Sequence, residues 1–152
     1  MKLHPTAERF RDRARELGLD PDIHELADST RTAQEAAAAV GAELGQIVKS
    51  LVFVADGAPM LCLCAGDRRV DTAKLGSEVR QARGDEVREA TGFAIGGVPP
   101  LGHERPLTTV VDTSLRRFET VWCAAGTPHA VFPVSVEALI AAIPNAELLD
   151  VT

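Results

Sequence analysis

A chain of 152 residues, 45% hydrophobic and 25% charged, fits one domain large enough to bury about 68–70% of its unfolded surface without metal or disulfide staples. Its mean hydropathy of +0.02 is that of an ordinary soluble protein, and no apolar run approaches the ~18 residues of a membrane helix. A net charge of −6 excludes the basic footprint needed to grip a long stretch of nucleic acid, yet leaves room for docking one end through a local group such as Arg68, Arg69 and Lys74.

Residues 5 to 18 read as a helix, with Ala7, Phe10, Ala14 and Leu17 at helical spacing and Gly18 as the stop. The charged, periodic N-terminus lacks the apolar core and small-residue cleavage site of a secretory leader, so a cytoplasmic location is expected. "PDIHELAD" follows as a short strand, and "STRTAQEAAAAVG" as a helix capped by Ser29 or Thr30 and ended by Gly41. Residues 46 to 55 form the main strand, Asp56-Gly57 a hairpin turn, and "APMLCLCAG" the antiparallel return. This hairpin is expected at the centre of the sheet.

"DTAKLGSEV" reads as a short helix opened by Asp71 or Thr72, and "GDEVREATG" as another closed by Gly92. "LTTVVDTSL", "TVWCAAG" and "HAVFPVS" are strand-like, and Pro133 assigns the last of them to an edge. "SVEALIAAI" is a helix capped by Ser135, and "AELLDV" a final strand. Strands and helices mix without βαβ alternation or internal repeat. The expected fold is α+β (mixed α/β): a single domain over residues 1–152, with a curved, mostly antiparallel mixed sheet surrounded by helices.

Lys49 breaks the pattern of "GQIVKSLVFVAD". By strand alternation it shares a face with Ile47, Leu51 and Phe53. A dry, unpaired ammonium costs several kcal/mol, so the side chain either reaches water or meets something anionic or carbonyl-rich. An edge-protecting or snorkelling lysine and a functional one both remain open at this point.

In "FAIGGVPPLGH" the pair Gly96-Gly97 removes side chains and permits unusual backbone angles, while Pro99 and Pro100 stiffen the C-terminal half of the stretch. A bare loop presenting N–H and C=O groups is expected, and it matches neither G-x-G-x-x-G nor a P-loop. "AAGTPHAV" places Gly126, Thr127 and Pro128 in a second small-residue turn, followed by His129. No Ser-His-Asp or G-x-S-x-G arrangement is visible, and Ser50 beside Lys49 lacks an identifiable base, so no covalent nucleophile is assigned. Cys62, Cys64 and Cys123 read as small buried hydrophobes rather than a disulfide framework or metal set. A lysine on a central strand, two glycine-bearing turns and a small-residue helix start would together enclose a small pocket with donors, acceptors and one cation.

"STRTAQEAAAAVG", "QIVKSLVF", "AGDRRVDTAKL", "TGFAIGGVPPLGH" and "VWCAAGTPHAV", in this order, make the chain resemble the YbaK and prolyl-tRNA editing domain family over roughly residues 5 to 150. The match is nearest to its free-standing members. The resemblance implies trans-acting hydrolysis of the ester that joins a wrong, small amino acid such as Cys or Ala to tRNA, with tRNA-Pro the expected carrier. It implies Lys49 and Gly96 as the catalytic positions, substrate-assisted cleavage by the ribose hydroxyl, and no metal or cofactor. Thr32, Ser50, Gly97, Pro99, Gly126 and His129 are assigned to substrate binding. The chain departs from many members at Thr32, where Phe is frequent, and at His129, where a basic residue is frequent, so cysteine specificity is not transferred. The expected partners are the aminoacyl-tRNA acceptor end and, as a further candidate, prolyl-tRNA synthetase. Two rivals stand beside this reading: a non-catalytic module binding the tRNA acceptor end or a synthetase, and a hydrolase or binder of a free aminoacyl adenylate.

Overall fold

The computed structural model describes residues 2–28 and 32–152. Helix α1 (Pro5–Glu16) begins with proline in its first turn, and the His4 imidazole accepts from the Thr6 N–H at 3.1 Å. It buries Ala7, Phe10 and Ala14 on one stripe, as their spacing predicts. Phe10 packs against Phe132 with ring centroids 5.2 Å apart, a burial worth about 2 kcal/mol. Strand β1 (His24–Glu25) is short, and helix α2 (Ala33–Val40) follows.

The expected caps Ser29 and Thr30 lie outside the described residues. The observed cap is Thr32, whose hydroxyl accepts from the Glu35 N–H at 3.1 Å. Gly41 ends the helix in the left-handed region at φ +70°.

Strands β2 (Val48–Ala55) and β3 (Ala58–Ala65) form the predicted hairpin. Asp56 and Gly57 both take positive φ, 49° and 86°, as a two-residue primed turn demands. The predicted helix after Asp71 shrinks to one 3-10 turn, Thr72–Lys74, capped by the Asp71 carboxylate. Beyond it the chain extends as β4 (Val79–Gln81) along β2. Gly76 lies in between, where a Cβ would come 2.7 Å from the Asp56 carboxylate.

Helix α3 (Gly84–Thr91) ends at Gly92, as expected. Then come β5 (Thr108–Asp112), β6 (Thr120–Ala124), β7 (Ala130–Ser135), helix α4 (Val136–Ala142) capped by Ser135, and β8 (Ala146–Leu149).

These strands make two sheets rather than the one curved sheet expected. Five strands run β4-β2-β3-β5-β8, and three run β1-β7-β6. Pairing is antiparallel except for β3 with β5 and β5 with β8. A parallel bridge between Ile47 and Trp122 joins the sheets. The α+β class and the dominance of antiparallel pairing hold. Pro133 corrects its own assignment, because β7 is the middle strand of its sheet. The proline is tolerated there because β1 pairs only with Ala130 and Val131 and stops before reaching position 133. One main core, containing Leu61, Leu63, Val111, Phe93 and Phe132, lies beneath both sheets.

Candidate active site

The split between the sheets creates the site. One edge of β2 is paired along its length to β3. On the other edge β4 takes only Phe53, Val54 and Ala55, and the bridge to β6 touches only Ile47. Between them Val48, Lys49, Ser50 and Leu51 line a cleft of about 480 Å³. Its other walls are the start of α2 at Thr32 and Ala33, the loop at Ile95, Gly96 and Val98, the strand at Trp122, Cys123 and Ala124, and Gly66.

Lys49 is half-buried, opposite Cys64 in the ladder. Its ammonium donates to the Arg68 carbonyl at 2.6 Å, which answers the question the sequence raised: the charge meets a carbonyl at the cleft. The turn bearing that carbonyl is held by Arg117, whose guanidinium makes two bonds to the Asp67 carboxylate, at 2.7 and 3.0 Å. Arg117 thereby holds the Asp67 carboxyl below the usual carboxylate range.

Ser50 presents a different feature. Its hydroxyl oxygen is buried and has no hydrogen-bond partner among the described residues, although Ser50 borders the cleft. Most buried hydroxyls are paired, and leaving one unpaired costs about 1–3 kcal/mol. Such an atom in a cleft is a natural contact for a ligand group.

Gly96 sits at the third position of a turn closed by the Gly97 N–H donating to the Ala94 carbonyl at 3.0 Å, and its φ of +90° explains the glycine. Among the described residues an added Cβ there would find only Pro128, at 3.8 Å. Gly97 serves another purpose. A Cβ on it would lie 2.8 Å from both the Gly126 carbonyl oxygen and Thr127 Cα, so this glycine lets the two turns touch. Gly126, at φ +105°, packs in turn against the Thr6 carbonyl.

Of the expected residues, the fold brings Lys49, Ser50, Gly96 and Thr32 to one cleft. Gly97 and Gly126 stand behind it as the contact between loops. Pro99 is buried, its carbonyl bonded to the His103 ring at 2.8 Å. His129 is exposed beside the turn, with its backbone N–H bonded to the Thr127 hydroxyl at 3.2 Å. Neither Pro99 nor His129 is among the cleft walls.

Sequence reading missed Gly66, Ile95 and Trp122. Gly66 was legible only as a strand-end glycine, yet a Cβ on it would collide with the Leu44 carbonyl. Trp122 looked like one more strand residue. Burial pushes the Cys62 thiol up to about 12, and raises Cys64 and Cys123 as well. All three stay protonated near neutrality, so none is an activated nucleophile. Among the described residues no three His, Cys, Asp or Glu side chains converge into a metal set, and no helix is long and apolar enough to cross a membrane.

A family model described as an aminoacyl-tRNA editing domain matches residues 27–142. An uncharacterized protein of Bacillus subtilis, YwhH, is 35% identical over 123 residues, covering 78% of each chain. A proline–tRNA ligase of Maridesulfovibrio salexigens is 35% identical over 88 residues, which span 54% of this chain but only 15% of the ligase. A crystal structure described as a candidate trans-editing enzyme for prolyl tRNA synthetase superposes with a TM-score of 0.92 at 46% identity, covering 99% of both chains.

Proposed function

The chain belongs to the aminoacyl-tRNA editing domain family, and on that premise we propose that it hydrolyses mischarged aminoacyl-tRNA in trans, with a small amino acid such as Cys or Ala on tRNA-Pro as the substrate. The observation that carries this reading is the meeting, in one cleft, of the Lys49 ammonium, the partnerless Ser50 hydroxyl and the bare Gly96 turn. Similarity to a region of proline–tRNA ligases and to the candidate trans-editing enzyme supports tRNA-Pro and the free-standing mode.

An aminoacyl ester is already activated, so the protein need supply only orientation and charge stabilisation. Water attacks the ester carbonyl, a tetrahedral oxyanion forms, and the C–O bond to the ribose breaks to give free amino acid and a tRNA 3′ end. The substrate's own ribose hydroxyl positions the water and takes part in the proton transfers. Lys49 keeps two of its three N–H donors beyond the one given to Arg68, and these face the adenosine phosphate or the ester oxygen. The Gly97 N–H is committed to Ala94, so the backbone of Gly96 is the loop's contact with the aminoacyl group. Ser50 receives a polar group of that moiety, and Thr32 borders the entrance. A hydrophobic wall separates amino acids differing by one methylene by only about 1–3 kcal/mol. Selection against proline therefore rests on exclusion by cleft size.

The test is a panel of mischarged tRNAs incubated with wild type and Lys49→Ala. Deacylation by wild type and its loss in the variant, with an unchanged circular dichroism spectrum, is expected. Equal rates in the two proteins would remove Lys49 from the mechanism. Retarded migration of tRNA without any ester cleavage would establish the binding module instead, and turnover of a free aminoacyl adenylate alone would establish the third reading.

A further inference from the structure

Helix α1 precedes residue 27, where the family match begins, yet it grips the loop that carries Gly96. Arg9 donates through Nη2 to the Gly92 carbonyl at 2.8 Å, with its guanidinium carbon 4.9 Å from the Phe93 ring centroid. One turn on, Arg13 donates through Nη1 to the Gly102 carbonyl at 3.2 Å and approaches the Glu104 carboxylate at 3.9 Å. Residues four apart on a helix share a face, so one rigid element holds both ends of one loop.

That loop is closed at its base. The Glu104 N–H donates to the Thr91 carbonyl at 3.3 Å, and a Cβ on Gly92 would lie 2.7 Å from the Glu104 side chain. Phe93, Val98 and Leu101 anchor it in the main core, which makes a compact loop packed by its own side chains. Its tip is Ile95 and Gly96 at the cleft, and Ile95 is 64% exposed. A Cβ on Gly97 would lie 2.8 Å from the Gly126 carbonyl oxygen, so the turn that bears the tip rests on the neighbouring turn as well as on its own base. Arg9 Nε is buried and has no hydrogen-bond partner among the described residues.

We propose that α1 is the positioning element of the cleft, with Arg9 and Arg13 as positioning residues that set where the Gly96 turn stands relative to Lys49 and Ser50. The kinetic consequence rests on the deacylase reading above; the structural consequence does not.

The test compares wild type with Arg9→Ala/Arg13→Ala and with Arg9→Lys/Arg13→Lys, using the full chain. Amide exchange is followed at Gly97, whose N–H closes the turn, and at Leu63 and Val111 in the sheet. The double alanine variant should speed exchange at Gly97 by about tenfold or more while the sheet amides stay protected. On whichever mischarged tRNA wild type deacylates, kcat should fall by roughly 10- to 100-fold, with KM within about threefold, because misplacing a contact affects the reacting geometry more than binding. The lysine variant, which keeps a donor at each position, should recover part of both effects. Unchanged Gly97 exchange, or equal acceleration at Gly97, Leu63 and Val111, would overturn the proposal by showing no clamp or merely global loosening. If the double alanine variant does not fold, the single alanine variants carry the same comparison. A wild type inactive on every tRNA defeats the deacylase reading, while the exchange pattern still decides the clamp.

Discussion

The Lys49 ammonium, at the wall of the cleft, is tied to the Arg68 carbonyl at 2.6 Å, so the cation is fixed in direction without being neutralised. Opposite it in the ladder stands Cys64, whose thiol burial keeps protonated. No carboxylate comes within ion-pair distance of Lys49 among the described residues. The charge is therefore left for something that enters the cleft.

Replacing Lys49 by Met keeps the length of the side chain and removes the charge. The lost bond is half-exposed, so the stability change should be about 1 kcal/mol or less, a melting shift of about 2–4 °C. Deacylation should fall to background. A variant that melts lower than wild type yet retains wild-type rates would show that the ammonium serves only the turn.

Gly96 and Gly97 are neighbours with different reasons to be glycine, and substitution should separate them. Gly97→Ala drives a Cβ to within 2.8 Å of the Gly126 carbonyl and Thr127 Cα, backbone that cannot yield cheaply; a loss of about 1–3 kcal/mol is expected. Gly96→Ala meets nothing closer than 3.8 Å, but takes φ +90°, a strain of about 1–2 kcal/mol. Gly96→Val also fills the cleft, so its activity loss should exceed what its melting temperature explains. Urea unfolding and deacylation rates measured on all three variants check the ordering, and full activity in Gly96→Val would refute the bare-turn contact.

Much of the fold was legible because local chemistry and tertiary structure agree. The Asp-Gly turn, the Ala7/Phe10/Ala14 stripe and the glycine helix stops each specify their geometry with residues close in sequence. Lys49 stood out in the sequence because a cation on a greasy strand contradicts burial, and the fold places it on the cleft wall. The division into two sheets was not, since it depends on where β4 and β6 meet one edge of β2, and alternation along β2 carries no trace of that. Gly66, Ile95 and Trp122 escaped for a related reason: each is ordinary locally and becomes part of the cleft only through long-range pairing.

His103 links the loop to pH. Its ring is bonded to the Pro99 carbonyl at 2.8 Å, and burial, more than the nearby Arg13, holds its pKa below the ordinary 6.5. The unfolded chain therefore takes the proton more readily than the folded one. Stability contributed here is complete above about pH 6.5 and drains as the pH falls towards the folded value, with a slope of at most about 1.4 kcal/mol per pH unit for one proton. Urea unfolding at pH 7.5 and 5.5 should show wild type losing more than His103→Gln on acidification. Parallel losses would place the acid sensitivity elsewhere.

Asp67 gives the last prediction, because its pair with Arg117 is modest in energy yet adjacent to the carbonyl that aims Lys49. Both side chains are about one-third exposed, and exposed pairs contribute about 0–1 kcal/mol. Arg117 also lies 5.0 Å from the Phe118 ring, so part of its role is packing and would survive loss of the carboxylate. Asp67→Ser should lower stability by less than about 1 kcal/mol. The freed turn no longer fixes the Arg68 carbonyl, however, and a lysine with a wandering acceptor should stabilise the oxyanion less well. We expect a drop of roughly tenfold in kcat, absent when Asp67→Ser is placed on a Lys49→Met background. That double-mutant cycle decides the matter: an equal drop on both backgrounds would show that Asp67 acts independently of Lys49.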